Sequence, residues 1–331
     1  MKSAWIGFHS PLAAGINQYL ATKRALGCKF ASEDRTLRLL DRYLVAHEIG
    51  SLEAITGECL NQFLASRGRV NPRGYNHLLG VVRRLFDWLV SQQVIAMSPL
   101  QASPRRETVR RLPFLFEAAV IKRLLAEAAL LPDNPRSPMR GPTYETIFAL
   151  LATLGLRIGE VSRLQCGDVD LERDVLQVRD SKFGKSRLVP FGPRLAMRLR
   201  TYLELREHQG WPTAGSAPLF SWNGKSPVST NTIRNNFRDH LLPRLGLDVP
   251  AGSYGPCVHG LRHSFAVRTL LRWYRDGLDP GARLNHLSTF LGHVRPQTTA
   301  VYLTITSELL QEASRRFERF APPPTGPEVR P

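Results

Sequence analysis

The sequence contains few cysteines and no long hydrophobic segment. Its four cysteines, Cys28, Cys59, Cys166 and Cys257, lie tens of residues apart without a Cys-x-x-Cys pair. This spacing argues against a disulfide scaffold and a zinc module, and it favours a reduced compartment. The longest apolar run, Ile147–Leu156, is much shorter than the roughly 18 to 20 residues of a membrane-spanning helix, and the N-terminal segment has no signal-type apolar stretch. We therefore expect a cytoplasmic protein without a membrane partner.

The sequence also has few acidic residues relative to its basic ones. The 331 residues include 45 Lys and Arg but only 28 Asp and Glu, which gives a formal net charge of +17. Such an excess favours a polyanionic partner, with nucleic acid ahead of a membrane surface. The length exceeds what one hydrophobic core usually organises, and 43% of the residues are hydrophobic. We expect two domains and association with the nucleoid.

The hydrophobic pattern predicts a mainly α-helical protein with a small antiparallel β-sheet. Residues 1–98 are typical of an all-helical domain, because their apolar residues recur three and four positions apart. Residues 99–113 contain three prolines and many arginines without an apolar period, which predicts an extended linker. A mixed α/β domain is expected over 114–320. The tail 321–331 holds five prolines, a composition that predicts disorder.

Basic residues of the first domain and the linker lie outside its apolar pattern. The helix predicted over Tyr75–Val94 keeps Arg83 and Arg84 off its apolar stripe, and Arg73 precedes it. The linker contributes Arg105, Arg106, Arg110 and Arg111. These arginines either form a solvated surface or lie along a phosphate backbone.

Three short segments in the second domain predict an antiparallel meander. Asp168–Asp170, Val175–Arg179 and Arg187–Val189 carry alternating or β-branched residues and are separated by polar turns. The second turn contains Lys182 and Lys185. Helices are predicted to resume after the meander, with the last one over Thr299–Phe320.

Two familiar ligand motifs are each incomplete or unsuited to their ligand. Both Gly-Lys-Ser triplets, at 184–186 and 224–226, lack the glycine that a phosphate-binding loop places five residues earlier; Arg179 and Leu219 stand there instead. His259 and His263 have the i, i+4 spacing of a helical zinc pair. Arg262 would place a cation beside the metal, however, so no metal site is expected.

Several other groups suit a phosphodiester, and each has a simpler alternative. Arg157 follows a very apolar helix, where a guanidinium needs an anion, either a ligand or the carboxylate of Glu160 or Asp168. His259 and Arg262 share one helix face at i, i+3 spacing, although a lone histidine is more often a cap or a core imidazole. Tyr302 follows the turn at Leu-Gly-His293, and taken alone it is more often a core residue.

The order and spacing of these groups resemble the tyrosine recombinases, the phage integrase family. The matching motifs are Arg157 in Leu-Arg-Ile-Gly-Glu, Lys182 before Arg-Leu-Val-Pro, His259-x-x-Arg262-His263, Leu-Gly-His293, and Tyr302. The resemblance covers nearly the whole chain, with a helical core-binding domain followed by a catalytic domain. Gly159 and Gly260 stand where the family commonly has Ser and Asp, and neither replaces a reacting group.

The resemblance implies site-specific DNA recombination through a 3′-phosphotyrosyl intermediate, with no cofactor because bond energy is conserved. Tyr302 would be the nucleophile, Arg157 and Arg262 the phosphate clamp, and His293 a further donor. His259 would act as base and Lys182 as acid, with Lys185 as the competing acid or as a phosphate contact.

The same resemblance implies a two-domain clamp on double-stranded DNA and four protomers acting on two sites, with or without companion recombinases. The C-terminal helix, Glu308–Phe320, would dock on a neighbouring protomer or on its own domain. Two alternatives remain at this point: a type IB topoisomerase-like enzyme and a noncatalytic accessory subunit.

Overall fold

A computed structural model describes residues 7–69, 71–106, 112–179, 186–247, 255–293, 297–304 and 307–320. The chain divides into two compact units, Met1–Arg110 and Arg111–Pro331. Lys182, Lys185, Arg110, Arg111 and the proline-rich tail lie outside the described residues. Within the described ranges, no helix combines the length and apolar character that crossing a membrane requires.

In the residues that the structure describes, the first unit is a bundle of four helices. They are α1 (Ala13–Ala25), α2 (Ala31–Ala46), α3 (Gly57–Ala65) and α4 (Pro72–Ser91). The longest, α4, begins three residues before the predicted Tyr75 because Asn71 caps it, accepting a hydrogen bond from the backbone N–H of Arg73 at 3.0 Å, and Pro72 occupies its first turn. Its apolar stripe packs into the centre of the bundle through Leu78, Leu79, Val82, Leu85, Phe86 and Leu89.

The start of the predicted linker is fastened to this bundle. Asn76 on α4 donates to the carbonyl oxygen of Arg105 at 2.8 Å and accepts from its backbone N–H at 2.7 Å. Arg83 donates to the carbonyl oxygen of Ala102 at 2.6 Å, and the Arg105 side chain donates to that of Arg69 at 2.9 Å. Residues up to 106 therefore run along α4 as part of the first unit.

The second unit packs helices around a central buried helix and a small sheet. Its helices are α5 (Ala118–Ala129), α6 (Arg140–Thr153), α7 (Ile158–Ser162), α8 (Pro193–His208), α9 (Thr230–Asn236), α10 (Leu242–Leu245), α11 (Val258–Arg275), α12 (Pro280–Leu291), α13 (Gln297–Ala300) and α14 (Ser307–Phe320). Helix α6 is the centre of the core, since apolar side chains all round it are buried, among them Tyr144, Ile147, Phe148, Leu150 and Leu151.

The sheet is the antiparallel meander that the sequence predicts. Its strands are β1 (Val169–Asp170), β2 (Val175–Val178) and β3 (Arg187–Pro190), in the order β1-β2-β3. Leu176 pairs with Val169 on one side and with Val189 on the other. The mainly α-helical fold class with a small antiparallel sheet is thus confirmed.

The predicted last helix, Thr299–Phe320, is wrong in its continuity. The chain forms α13, a 3₁₀ turn at Val301–Thr304 and then α14. The turn places the Tyr302 ring, only 4% exposed, in a small apolar cluster with residues of α11 and α12, where Leu309 of α14 is also fully buried. Burial of this ring thus favours the 3₁₀ turn over a continuous α-helix. Helix α14 packs on its own unit through Leu309.

Candidate active site

Two glycine turns bring separate segments of the second unit to one place. Gly155, at the end of α6, has φ +59° and a Cβ there would lie 2.6 Å from the ring of Phe265. Gly292, at the end of α12, has φ +69° and a Cβ would lie 2.7 Å from Nη1 of Arg187. Both positions therefore require glycine. The turns direct the residues that follow, Arg157 and His293, toward the first turns of α11.

Arg262 on α11 is almost completely buried, with 1% of the residue exposed. Its Nη1 donates to the carbonyl oxygen of Gly155 at 2.6 Å and its Nη2 to that of Leu291 at 2.7 Å. Burial, and then the charge of Arg157, lowers the pKa of Arg262 to about 10, so the group remains a cation at neutral pH. Arg262 thus joins the ends of α6 and α12 around a buried positive charge.

Arg157 forms the ion pair that the sequence offered as the alternative to a ligand. Its Nη1 donates to Oε1 of Glu160 at 2.7 Å and its Nη2 to the carbonyl oxygen of Gly292 at 2.8 Å. The other candidate carboxylate, Asp168, pairs with Arg179 instead. About a quarter of the Arg157 side chain, 24%, remains exposed, and a guanidinium has more N–H donors than these two bonds use. The ion pair therefore orients Arg157 without exhausting it.

Arg187, which the sequence analysis did not assign, completes the network. Its Nη1 and Nη2 donate to Oε1 and Oε2 of Glu160 at 3.0 and 2.9 Å, and its Nε donates to the carbonyl oxygen of Phe290 at 2.8 Å. The Glu160 side chain is 1% exposed. Burial by itself would raise the pKa of Glu160, but the hydrogen bonds and charge of Arg187, followed by the hydrogen bonds of Arg157, lower it to about 2. One carboxylate thus holds two arginines, which leaves positive charge in excess.

Replacing Glu160 with Gln is expected to lower stability in a pH-dependent way. The pKa of Glu160 falls from its ordinary 4.5 to about 2 on folding, so its charge stabilises the fold above about pH 4.5 and loses that effect as the pH falls toward 2. The shift corresponds to roughly 3 kcal/mol. Urea unfolding between pH 6 and pH 3 should show a gap between wild type and Glu160→Gln that narrows with acid. Glu127→Gln, at a surface pair with Arg244, should change stability by about 1 kcal/mol or less. A gap that does not change with pH would contradict the assignment.

Tyr302 is hydrogen-bonded to His263. Nδ1 of His263 lies 2.8 Å from Oη of Tyr302, and their ring centroids are 5.5 Å apart. His293 lies on another side, with its ring 6.4 Å from that of Tyr302 and its Nδ1 2.7 Å from Oγ1 of Thr299. Burial raises the pKa of Tyr302, although the charges of Arg262 and Arg157 oppose the shift. The phenol is therefore protonated and lies beside two imidazoles at neutral pH.

All three imidazoles of the site are neutral at pH 7. Burial, followed by nearby charges, lowers the pKa of His263 to about 4 and that of His293 to about 3. The His259 ring reaches solvent, yet the protein mass around it, followed by the charges of Arg262 and Arg157, also lowers its pKa. The rings of His259 and His263 are packed edge to face, with centroids 4.6 Å apart. His263, one turn further along α11, thus contacts both the His259 ring and the phenol of Tyr302.

The DNA-binding candidates of the first unit differ in their contacts and in their exposure. Arg83 and Arg105 bind carbonyl oxygens of their own unit, and the Arg105 guanidinium also lies 4.0 Å from the centre of the Tyr75 ring. Arg84 lies 3.9 Å from Glu33, and Arg73 and Arg106 are exposed. Among the residues that the structure describes, no three His, Cys, Asp or Glu side chains come together as potential metal ligands.

The chain is similar to known proteins over most of its length. The model of the phage integrase family matches residues 116–308. A protein of Sinorhizobium fredii named as an integrase/recombinase, y4rB, is 34% identical over 311 residues, covering 94% of this chain and 98% of the relative. The tyrosine recombinase XerC of Pelobacter propionicus is 28% identical over 302 residues, covering 89% and 90% of the two chains.

A solved structure shares the fold at lower identity. The Tn1549 transposon integrase, in complex with a circular intermediate DNA, has a TM-score of 0.65 and 18% identity to this chain. The similarity covers 94% of this chain and 100% of the integrase. Both the matched family model and the long relative include the segment that carries Arg157, Glu160, Arg262 and Tyr302. The chain therefore belongs to the phage integrase family of tyrosine recombinases.

Proposed function

We infer that this protein is a site-specific DNA recombinase that cleaves and rejoins DNA through a 3′-phosphotyrosyl intermediate. The observation that carries this inference is the position of the Tyr302 hydroxyl. It is hydrogen-bonded to His263, and the charges of Arg262 and Arg157 oppose the rise that burial gives to the pKa of Tyr302. A phenol in the field of two guanidinium charges suits attack on a phosphodiester, because that reaction places negative charge on the nonbridging phosphate oxygens.

Arg157 and Arg262 act as the phosphate clamp in this mechanism. Each is fixed by two hydrogen bonds to protein oxygens, so little rearrangement is needed when the phosphate arrives. Their remaining N–H groups donate to the nonbridging oxygens, and the low local dielectric strengthens these bonds as charge develops. His293 supplies one further N–H donor to the phosphate. His259, the base that the family resemblance implies, is neutral and able to accept a proton.

The oxygen that leaves needs a proton, which we assign to Lys182. Sulfur in place of the bridging 5′-oxygen of the scissile phosphate gives a leaving group that needs no proton. We expect Lys182→Ala to cleave a normal substrate slowly and the sulfur substrate at close to the wild-type rate, whereas His259→Ala gains little. Cleavage rates on the two substrates, measured in a single turnover, check this.

Lys185→Ala is the matched control for the leaving-group experiment. Rescue of Lys185→Ala with an unimpaired Lys182→Ala would move the acid three residues along the turn. Rescue of neither lysine variant would remove the turn from the proton transfer and leave a histidine as the donor.

Double-stranded DNA carrying specific sites is the proposed partner, contacted by the exposed arginines of the first unit such as Arg73 and Arg106. A net charge of +17 supports this partner. The similar fold of the Tn1549 transposon integrase, whose structure was solved in complex with DNA, also supports it. We propose that four protomers act on two sites, with or without companion recombinases, at the bacterial nucleoid. Analytical ultracentrifugation with a two-site DNA tests the stoichiometry.

Mapping covalent protein–DNA junctions in host DNA tests the proposed function. Junctions at a small number of defined sites, together with exchange between two copies of such a site, are the expected result. Scattered junctions with relaxation of supercoils and no exchange would identify a type IB topoisomerase-like activity instead. Site-specific binding without any junction would identify an accessory subunit.

A further inference from the structure

His263 is placed to act on the nucleophile directly. Its Nδ1 lies 2.8 Å from Oη of Tyr302, which is hydrogen-bond distance. The two residues come from different elements, α11 and the 3₁₀ turn, and Tyr302 is 4% exposed, so packing holds the pair together. Arg262 immediately precedes His263 and its buried side chain joins two other segments of the site. The imidazole is thus anchored to the same framework as the phosphate clamp.

The electrostatic surroundings keep this imidazole free to accept a proton. His259 and Arg262 are the titratable groups that act on it from α11, and Tyr302 faces it from the 3₁₀ turn. Burial, followed by the electrostatic effects of His259 and Arg262, lowers the pKa of His263 to about 4, so the ring is neutral at pH 7. A neutral imidazole with its hydrogen on Nε2 presents a lone pair at Nδ1, where the phenol lies.

We propose that His263 is a catalytic residue that takes the proton from Tyr302 as the phenol attacks the phosphorus. The Oη–H bond of Tyr302 breaks and an N–H bond forms at Nδ1 of His263, while the Oη–P bond forms and the bond from phosphorus to the 5′-oxygen breaks. The leaving oxygen takes a proton from the acid. In religation a 5′-hydroxyl attacks the phosphotyrosine and gives its proton back to the acid, while the Tyr302 oxygen leaves phosphorus and takes its proton back from His263. This role rests on the proposed function.

The timing of the transfer follows from the two groups. Burial raises the pKa of Tyr302 while that of His263 stays low, so the proton remains on the phenol when no phosphate is present. Bond formation to phosphorus makes the phenol far more acidic, and the negative charge gathering on the phosphate stabilises a protonated imidazole beside it. Proton transfer therefore accompanies nucleophilic attack and does not precede it.

His263→Asn separates proton transfer from positioning. The Asn amide reaches about as far as Nδ1 and can still accept a hydrogen bond from Tyr302, but it cannot take up a proton. We expect DNA binding to persist and the single-turnover cleavage rate to fall roughly 10²- to 10⁴-fold. His263→Gln serves as a second variant, and circular dichroism and a melting curve show which variant is folded.

Fluorination of Tyr302 then tests whether the lost step is proton removal. Ring fluorines make the phenol more acidic, so 3,5-difluorotyrosine incorporated at position 302 needs less help from a base. We expect it to recover most of the cleavage lost in His263→Asn and to change the wild-type rate little. His259→Asn, one turn away on the same helix, is the matched control and should not be recovered.

The outcomes separate this proposal from the proposed function. If wild-type protein forms no covalent adduct, the recombinase function itself fails. If wild type cleaves and His263→Asn or His263→Gln cleaves equally well, His263 is not the proton acceptor. A defect that fluorination leaves unchanged would also overturn the proposal, and recovery in His259→Asn alone would assign the base to His259.

Discussion

Tyr302→Phe is expected to bind its DNA like wild type and to form no covalent adduct. The substitution removes one oxygen and leaves the ring in the cluster that it shares with Leu270 and Leu291. The hydroxyl has its hydrogen bond to His263, whose loss costs about 0.5 to 1.5 kcal/mol of stability. The fold should therefore survive while the nucleophile is absent.

A nicked suicide duplex measures this result, because release of a short fragment traps the adduct and makes it visible in a denaturing gel. Tyr274→Phe is the matched control, since Tyr274 is a partly buried tyrosine on α11, and it should form adduct normally. Adduct formation by Tyr302→Phe would show that another residue attacks the phosphate.

Arg262→Lys is expected to lose cleavage and some stability together. A lysine keeps the charge, but one ammonium cannot bridge the carbonyl oxygens of Gly155 and Leu291 and also present paired donors to a phosphate. Loss of one oxyanion donor typically costs about 10²- to 10³-fold in rate, and the carbonyls left unpaired lower the melting temperature. Arg157→Lys should show a similar loss of cleavage with a smaller effect on melting, because Arg157 is partly exposed.

Arg268→Lys provides the control for these arginine variants. Arg268 lies on the same helix and donates to the carbonyl oxygen of Ala152 at 2.9 Å, so its replacement removes a comparable structural bond. We expect it to lower the melting temperature and to retain cleavage. Single-turnover cleavage at saturating DNA, alongside melting curves, checks all three variants. Near-normal cleavage by Arg262→Lys would mean that the clamp has been assigned to the wrong arginine.

The ordered motifs could be found from the sequence because each lies beside a local signal. The glycine turns at Gly155 and Gly292 and the helix start near His259 mark where an apolar segment ends and a polar group follows. In the structure, the charges of Arg157 and Arg262 act on Tyr302. The clamp role of Arg157 and Arg262 and the acid role of Lys182 remain predictions that the variants above test. The choice between His259 and His263 as the base is tested in the same way.

Long-range partners could not be found in the same way. Arg187 stands on a short strand and binds a carboxylate 27 residues away, and no local pattern predicts that pairing. The one sequence feature that could have drawn attention to Arg187 is its place in the Arg-Leu-Val-Pro motif. The two histidines of α11 raise a related difficulty, since His259 and His263 are four residues apart on one helix face. Spacing alone could not decide which ring meets Tyr302; that depends on the 3₁₀ turn, which the predicted continuous helix had missed.

Mass spectrometry of the trapped adduct tests the phosphotyrosyl mechanism most directly. Wild-type protein trapped on the nicked duplex is digested with trypsin and nuclease, and the peptide that carries the remaining nucleotide is sequenced. The mechanism predicts a nucleotide joined through its 3′-phosphate to Tyr302. A nucleotide on any other residue, or one joined through a 5′-phosphate, would contradict it.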